Sequence, residues 1–195
     1  MKTIILLRHS QPQKGTDLPN ELIPLSDDGT YFARKLFQNV LFQSTTYVYS
    51  SPYRRAFDTA VMLGQPVTTD LRLVERQLGD PTTLRADFWK KQYLDHTFKN
   101  CGGESLNEVN LRMTSFVDEL LSKLSEGQTA VVVSHAAAIC SYLLNFCTIT
   151  VTNSEAKLRK ICFGRKVVMD GAFPTPGGFI LQFQNRTLAN ITYLK

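Results

Sequence analysis

Two of the chain's three histidines, His9 and His135, end apolar, β-branched runs. The runs are Thr3-Ile4-Ile5-Leu6-Leu7 and Thr129-Ala130-Val131-Val132-Val133. Such runs read as parallel strands covered on both faces. Ligands of open α/β sheets collect beyond the carboxyl ends of these strands, so both imidazoles are expected in one crevice. Arg8 precedes His9, and Arg55 follows a further candidate strand, Tyr47-Val48-Tyr49-Ser50. Two imidazoles with two guanidiniums make a site for a tetrahedral dianion, because arginine meets phosphate oxygens with paired, planar donors. A neutral imidazole can attack phosphorus and form a phosphohistidine. That step needs charge stabilisation on the equatorial oxygens and an acid for the leaving oxygen. Arg8, Arg55 and His135 supply the first. Glu75, closing the short segment from Val67 to Val74, is the candidate for the second, since a carboxyl group beside a phosphate can hold a proton near neutral pH. A metal site competes for the same histidines, but metal-ligating histidines usually come with further ligands at recognisable spacing. Arginines beside the imidazoles also disfavour a cation, so neither metal nor cofactor is expected.

The elements that must position these residues alternate strand and helix, the order of a parallel sheet with helices on both faces. After His9 and Ser10, a loop with Pro12, Gly15, Pro19 and Pro24 is too rich in breakers for regular structure. Ser26 reads as an N-cap, with Asp27 and Asp28 in the first turn of a helix. Its Phe32, Leu36 and Val40, with Ala33 and Phe37 widening the stripe, are expected to face the core. Tyr47–Ser50 stops at Ser51-Pro52, and a helix runs from about Tyr53 to Leu63. Arg54 and Arg55 open it. A cation in a first turn opposes the macrodipole, so one placed there suits an anionic ligand. From Asp80 to Gly103 the composition changes to aromatics and charges, with Phe88, Trp89, Lys90, Lys91 and Tyr93. This stretch reads as a partly helical insertion over the carboxyl ends of the strands, either a lid or a packing appendage. Ser105-Leu106-Asn107-Glu108 is a capping box for the next helix. A helix from Ala136 to about Phe146 starts directly beyond His135 and offers its first N–H groups, that of Ala136 among them, to an anion. Phe179–Phe183 and Leu188–Leu194, joined by a polar turn at Asn185-Arg186, read as a closing β-hairpin.

A chain of 195 residues suits one domain spanning 1–195, with the insertion at about 80–103 as part of it. The fold class expected is α/β: a three-layer sandwich with a mostly parallel central sheet. No window is apolar over the eighteen or so residues of a membrane span. The N-terminal run is too short and too β-branched for a secretory signal, so a cytoplasmic location is expected. Cys140 and Cys147, two helical turns apart in an apolar stretch, suit reduced buried thiols. The net charge of +5 favours anionic partners. Scattered lysines and arginines without interleaved aromatics argue against nucleic acid. The expected partner is a small phosphorylated substrate, and a nucleotide or phosphopeptide fits the same charge.

Several short motifs stand in a telling order. They are Leu7-Arg8-His9, Leu25-Ser26-Asp27-Asp28-Gly29, Ser50-Ser51-Pro52-Tyr53-Arg54-Arg55-Ala56-Phe57-Asp58-Thr59-Ala60, Leu73-Val74-Glu75-Arg76, Gly103-Glu104-Ser105 and Val133-Ser134-His135-Ala136. Together they resemble the histidine phosphatase superfamily, also called the phosphoglycerate mutase-like family, over most of the chain. The resemblance selects Arg55 rather than Arg54 as the phosphate-binding arginine. It implies that His9 is the phosphorylated histidine, that Arg8, Arg55 and His135 hold the phosphoryl group, and that Glu75 protonates the leaving oxygen, without metal. Two positions depart from the family pattern, Ser10 in place of the usual small residue after the histidine and Ala136 in place of glycine, and both are counted among the substrate-binding positions. The implied activity is a phosphomonoester hydrolase of the histidine acid phosphatase type. A cofactor-dependent phosphoglycerate mutase is the alternative, and a non-catalytic phosphate-binding module comes third. Against the mutase, its usual Glu-Arg-His-Tyr-Gly run is here Glu75-Arg76-Gln77-Leu78-Gly79.

Overall fold

The computed structural model describes residues 1–194. Its central sheet follows from the apolar runs. The strand β1 (Lys2–Arg8) pairs in parallel with the strand formed by Thr129–Ser134, which is β4 in chain order. The strand β2 (Thr45–Ser50) lies on the other side of β4, and β3 (Val67–Thr69) flanks β2, both in parallel. Ile4 and Leu6 point into one core cluster, Ile5 and Leu7 into the other, and all four are fully buried. A strand between two cores must be apolar without interruption, because both its faces are dry.

Helices α1 (Asp27–Phe37) and α2 (Arg54–Val61) cover one face. On the other lie α4 (Leu106–Lys123) and α5 (Ala136–Leu143), with α3 (Phe88–Leu94) above the strand ends. The capping box forms as expected: Ser105 accepts from the Glu108 amide, and the Glu108 carboxylate accepts from the Ser105 amide. One expectation for α1 fails. Phe32 and Val40 are exposed, and the buried positions are Gly29 and Ala33. The helix ends at Phe37, which takes Val40 out of phase, and it packs so close to the chain that a Cβ on Gly29 would collide with the Gln11 carbonyl. Ala33 is buried, and Leu36 and Phe37 pack against the core, so the stripe finds the inner face except at Phe32 and Val40, and close approach selects the small residues Gly29 and Ala33 there.

Residues after α5 hold three strands that the sequence reading left unassigned. Strands β5 (Cys147–Asn153), β6 (Leu158–Phe163) and β7 (Lys166–Gly171) form a separate antiparallel sheet, which packs through Ile149, Ile161 and Met169 on the cluster that also holds α4 and α5. Cys147 therefore opens a strand rather than continuing a helix, although it and Cys140 are both buried free thiols. The closing hairpin is present: β8 (Gly177–Gln184) pairs antiparallel with β1 and with β9 (Thr187–Leu194). Asn185 and Arg186 both have positive φ, the geometry of a tight two-residue turn. The central sheet has six strands in the order β3-β2-β4-β1-β8-β9. Among the described residues, no helix is long and apolar enough to cross a membrane.

The 80–103 stretch leaves the sheet through a narrow neck. The Asp80 amide donates to the Cys101 carbonyl at 3.0 Å and the Glu104 amide to the Gln77 carbonyl at 2.8 Å. Gly79, at φ +73°, has no room for a side chain against the Cys101 backbone. Arg76 ties the stretch down from inside: it is buried, donates to the Glu104 and Phe98 carbonyls and to Gln92, and lies 4.8 Å over the Phe88 ring.

Candidate active site

The adjacent parallel strands β1 and β4 end side by side, Arg8 opposite Ser134, so the residues that follow must meet. The His9 and His135 rings lie edge to face with centroids 5.1 Å apart. Both are buried, and so is Arg55, which the first turn of α2 sends between them. Arg55 Nε donates to His9 Nε2 at 3.1 Å, Nη2 lies 3.4 Å from His135 Nδ1, and Nη1 donates to the Asn20 carbonyl at 2.5 Å. The His9 Nδ1 lies 2.7 Å from the Ser10 carbonyl. A carbonyl can only accept, so Nδ1 carries the proton and Nε2 presents its lone pair. His135 Nε2 donates to Ser51 Oγ at 2.8 Å, which leaves Nδ1 to face the guanidinium.

Electrostatics keep both rings neutral. The His9 pKa is lowered to about 3, mainly by burial, against the Ser10 carbonyl and with the help of the Arg55 and Arg8 charges. His135 is lowered well below the ordinary imidazole range by burial, then by His9 and Arg55. Burial lowers Arg8 and Arg55 as well, and in both the Glu75 charge opposes it.

Glu75 reaches the same place by a different route from the one expected. A 3-10 turn at Leu71–Leu73 separates it from β3, so it is not a strand-end residue. The Ser134 hydroxyl holds the Leu73 carbonyl at 2.8 Å, which fixes the chain ahead of Glu75. Its carboxylate accepts from the amides of Arg76, Ala137 and Ala138. The first turn of α5 is thus held partly by a side chain of the protein itself. Ala136 keeps its amide out of that cap and lines the adjoining cavity. Ser10 is the one expected substrate contact that the structure turns away. It is fully buried, its hydroxyl donates to the Gly29 carbonyl at 2.6 Å and its amide to Thr59 Oγ1 at 2.9 Å. Its contribution is the carbonyl that sets the His9 tautomer.

Beside this cluster opens a cavity of about 650 Å³ whose lining includes Arg8, Glu75 and Ala136 together with Trp89, Lys157 and Arg159. Arg8 reaches into it with Nη1 on the Phe173 carbonyl. Sequence reasoning missed Ser51 and Thr59 as positioning residues, although both stand in the motif that carries Arg55. It also missed Arg159, whose strand carries no recognisable signal. Among the described residues, no three His, Cys, Asp or Glu side chains converge as a metal-binding group.

Comparison with known proteins bears on this geometry. A family model described as the histidine phosphatase superfamily (branch 1) matches residues 4–162. The glucosyl-3-phosphoglycerate phosphatase of Mycolicibacterium vanbaalenii is 31% identical over 165 residues, 72% of each chain. The "Probable phosphoglycerate mutase GpmB" of Serratia proteamaculans is 33% identical over 129 residues, and the match spans 60% of this chain and 60% of that protein's length. Among solved structures, a mycobacterial glucosyl-3-phosphoglycerate phosphatase in complex with inorganic phosphate superposes with a TM-score of 0.71 at 23% identity, covering 100% of this chain and 96% of the other. At that identity the structural likeness speaks for the fold.

Proposed function

The chain belongs to the histidine phosphatase superfamily, branch 1, and from that premise we propose that it hydrolyses small phosphomonoesters through a phosphohistidine on His9. The observation that carries this reading is the state of the His9 ring: Nδ1 is committed to the Ser10 carbonyl, and Nε2, unprotonated, faces the Arg55 guanidinium. A substrate phosphoryl group replaces the two imidazoles as the acceptor of the Arg55 donors. Arg8 and His135 complete the charge around its equatorial oxygens. Nε2 then bonds to phosphorus as the ester P–O bond breaks, and Glu75 gives its proton to the leaving oxygen. In the second half, water loses a proton to the Glu75 carboxylate and attacks phosphorus. The N–P bond breaks, inorganic phosphate leaves, and His9 is restored.

The acid phosphatase type belongs to the same proposal. With its pKa near 3, His9 remains a nucleophile well below pH 6.5. The 80–103 stretch serves as the wall that chooses the substrate. Four free thiols fit a cytoplasmic location. Likeness to a protein named as a phosphoglycerate mutase favours one second reading, in which another oxygen of the substrate, rather than water, takes the phosphoryl group from His9.

The test is phosphate release from p-nitrophenyl phosphate with chelator present. Turnover by the wild type and a loss of at least about 10⁴-fold in His9→Ala are expected. Turnover that survives in His9→Ala, or that the chelator abolishes, overturns the phosphohistidine reading. Isomerisation of 3-phosphoglycerate in the presence of its bisphosphate would move the assignment to the mutase.

A further inference from the structure

The cavity beside Arg8 is larger than a phosphoryl group needs, and its charges are unbalanced. Glu75 is the one carboxylate among its lining residues, against Arg8, Arg76, Arg85, Lys157 and Arg159. Two of these cations are already committed, Arg76 to the 80–103 stretch and Arg85 to Asp87 at 2.9 Å. Arg159 is different. It sits on β6 at 3% exposure with no carboxylate partner among the described residues. Its Nη1 donates to Tyr93 Oη at 3.2 Å and Cys140 Sγ at 3.0 Å, and its Cζ lies 4.6 Å from the centroid of the Trp89 ring, over its face. Among the described residues its Nε is buried with no partner, and so is the indole Nε1 of Trp89. One edge of the guanidinium is therefore used, one face is covered, and the Nε–Nη2 edge is left. That edge is the planar two-donor fork that matches a carboxylate. Leaving buried donors unpaired is costly, about 1–3 kcal/mol each, and is tolerated where a ligand supplies the acceptor.

We propose that this end of the cavity is a second anion site, in which the free edge of Arg159, with Lys157 at the rim, takes a carboxylate carried by the substrate away from its scissile phosphoryl group. Lys157 stands in the turn between β5 and β6 at φ +53°, a left-handed conformation unusual for lysine, and it lines the same cavity. The substrate class is then a small phosphomonoester with a carboxylate. The phosphoryl group meets His9 and Arg55, the body fills the space between Phe173 and Trp89, and the carboxylate meets Arg159. This assignment rests on the hydrolase reading and adds the substrate class to it.

O-phosphoserine and O-phosphoethanolamine differ by that carboxylate alone, so the ratio of their kcat/KM values reads the site. In the wild type the ratio is expected to favour phosphoserine by about ten- to a hundredfold, the range of one charge-assisted bidentate pair. Arg159→Met is expected to bring the ratio close to one. Arg159→Lys restores it in part, because an ammonium lacks the fork. Lys157→Gln, at the exposed turn, lowers it by about threefold, as for a screened rim charge. A wild-type ratio near one, or a ratio unchanged in a folded Arg159→Met, overturns the proposal. Turnover of p-nitrophenyl phosphate in the wild type tests the hydrolase reading separately. Should that turnover be absent, the same two esters titrated calorimetrically into the wild type and Arg159→Met give the ratio as Kd values. The same outcomes then decide.

Discussion

At the ends of β1 and β4 all four ring nitrogens of His9 and His135 have partners, whereas along the wall made by α3 and β6 the Nε of Arg159 and the Nε1 of Trp89 have none. Both regions are buried, and both are rich in cations. The difference lies in what supports them. The histidines stand on adjacent strands of one sheet, and neighbours such as Ser51 and the Ser10 carbonyl come from the same strand ends. The ring nitrogens there are matched before any ligand arrives, an arrangement that stabilises developing charge without reorganisation, although the Nε of Arg8 at the end of β1 is buried without a partner, as the donors of the wall are. The wall is assembled from a separate sheet and an excursion of the chain, and its polar groups are left for an acceptor from outside. On the proposed function, the two imidazoles are fully paired, and Arg8, Arg159 and Trp89 each keep an unpaired buried donor for the substrate.

The comparison breaks first at Arg55. Arg55→Met should lower kcat/KM for p-nitrophenyl phosphate by about 10³-fold, the scale of removing a preorganised charge from a phosphoryl site. A loss under tenfold would mean that the matched set around the histidines is packing rather than machinery. Glu75→Gln should have the next largest effect, and a selective one. Its amide oxygen can still accept from the Arg76 and Ala138 amides, which share Oε1, while the longer 3.4 Å contact from the Ala137 amide to Oε2 is given up. The helix end is thus kept while the proton is lost. We expect about a 10²-fold loss on an alkyl phosphate with a poor leaving group and less than tenfold on p-nitrophenyl phosphate. Equal losses on both would remove Glu75 from the role of acid.

The smallest effect is on stability. Folding holds His9 at about 3 against 6.5 in water, through burial first, and lowers His135 in the same direction. The unfolded chain therefore binds more protons than the folded one below pH 6.5. The stability tied to these neutral rings is whole above that pH and is lost as pH falls toward 3. Each imidazole contributes a slope of up to about 1.4 kcal/mol per pH unit. Urea midpoints should fall steadily from pH 6.5 to pH 4.5, and His9→Asn should flatten the decline. An unchanged slope in that variant would show that the His9 ring exchanges protons with water in the folded protein.

The same two regions differ in how they can be read from residues. The run from Thr3 to His9 declares itself because a strand with a core on each side admits no polar interruption. Ser105 and Glu108 declare α4 because the cap needs those side chains at that spacing. The wall has no such grammar. In β6 the burial alternates, with Arg159 and Ile161 on the inner side and Leu158, Lys160 and Cys162 only partly covered. An alternation read by polarity puts arginine outside. Arg159 is inside because Tyr93, Cys140 and Trp89, from two other elements, make a place for it. Ser10 shows the converse error: its position beside His9 suggests a ligand contact, but α1 and α2 supply Gly29 and Thr59 as its partners.

The sequence by itself determined the strands that are dry on both faces, the order of elements as far as α5 together with the closing hairpin, and the identity of the residues at the carboxyl ends of those strands. These are local consequences of hydrophobic pattern and capping chemistry, written within a few residues of each other. Tertiary structure alone decided the His9 tautomer, the capture of the α5 amides by Glu75, the loss of Ser10 to the interior and the emergence of Arg159 as a cavity cation. Each depends on a partner tens of residues away, or on a backbone carbonyl that carries no side-chain identity, and a hydrogen bond exists only once both ends have been brought within about 3 Å of each other.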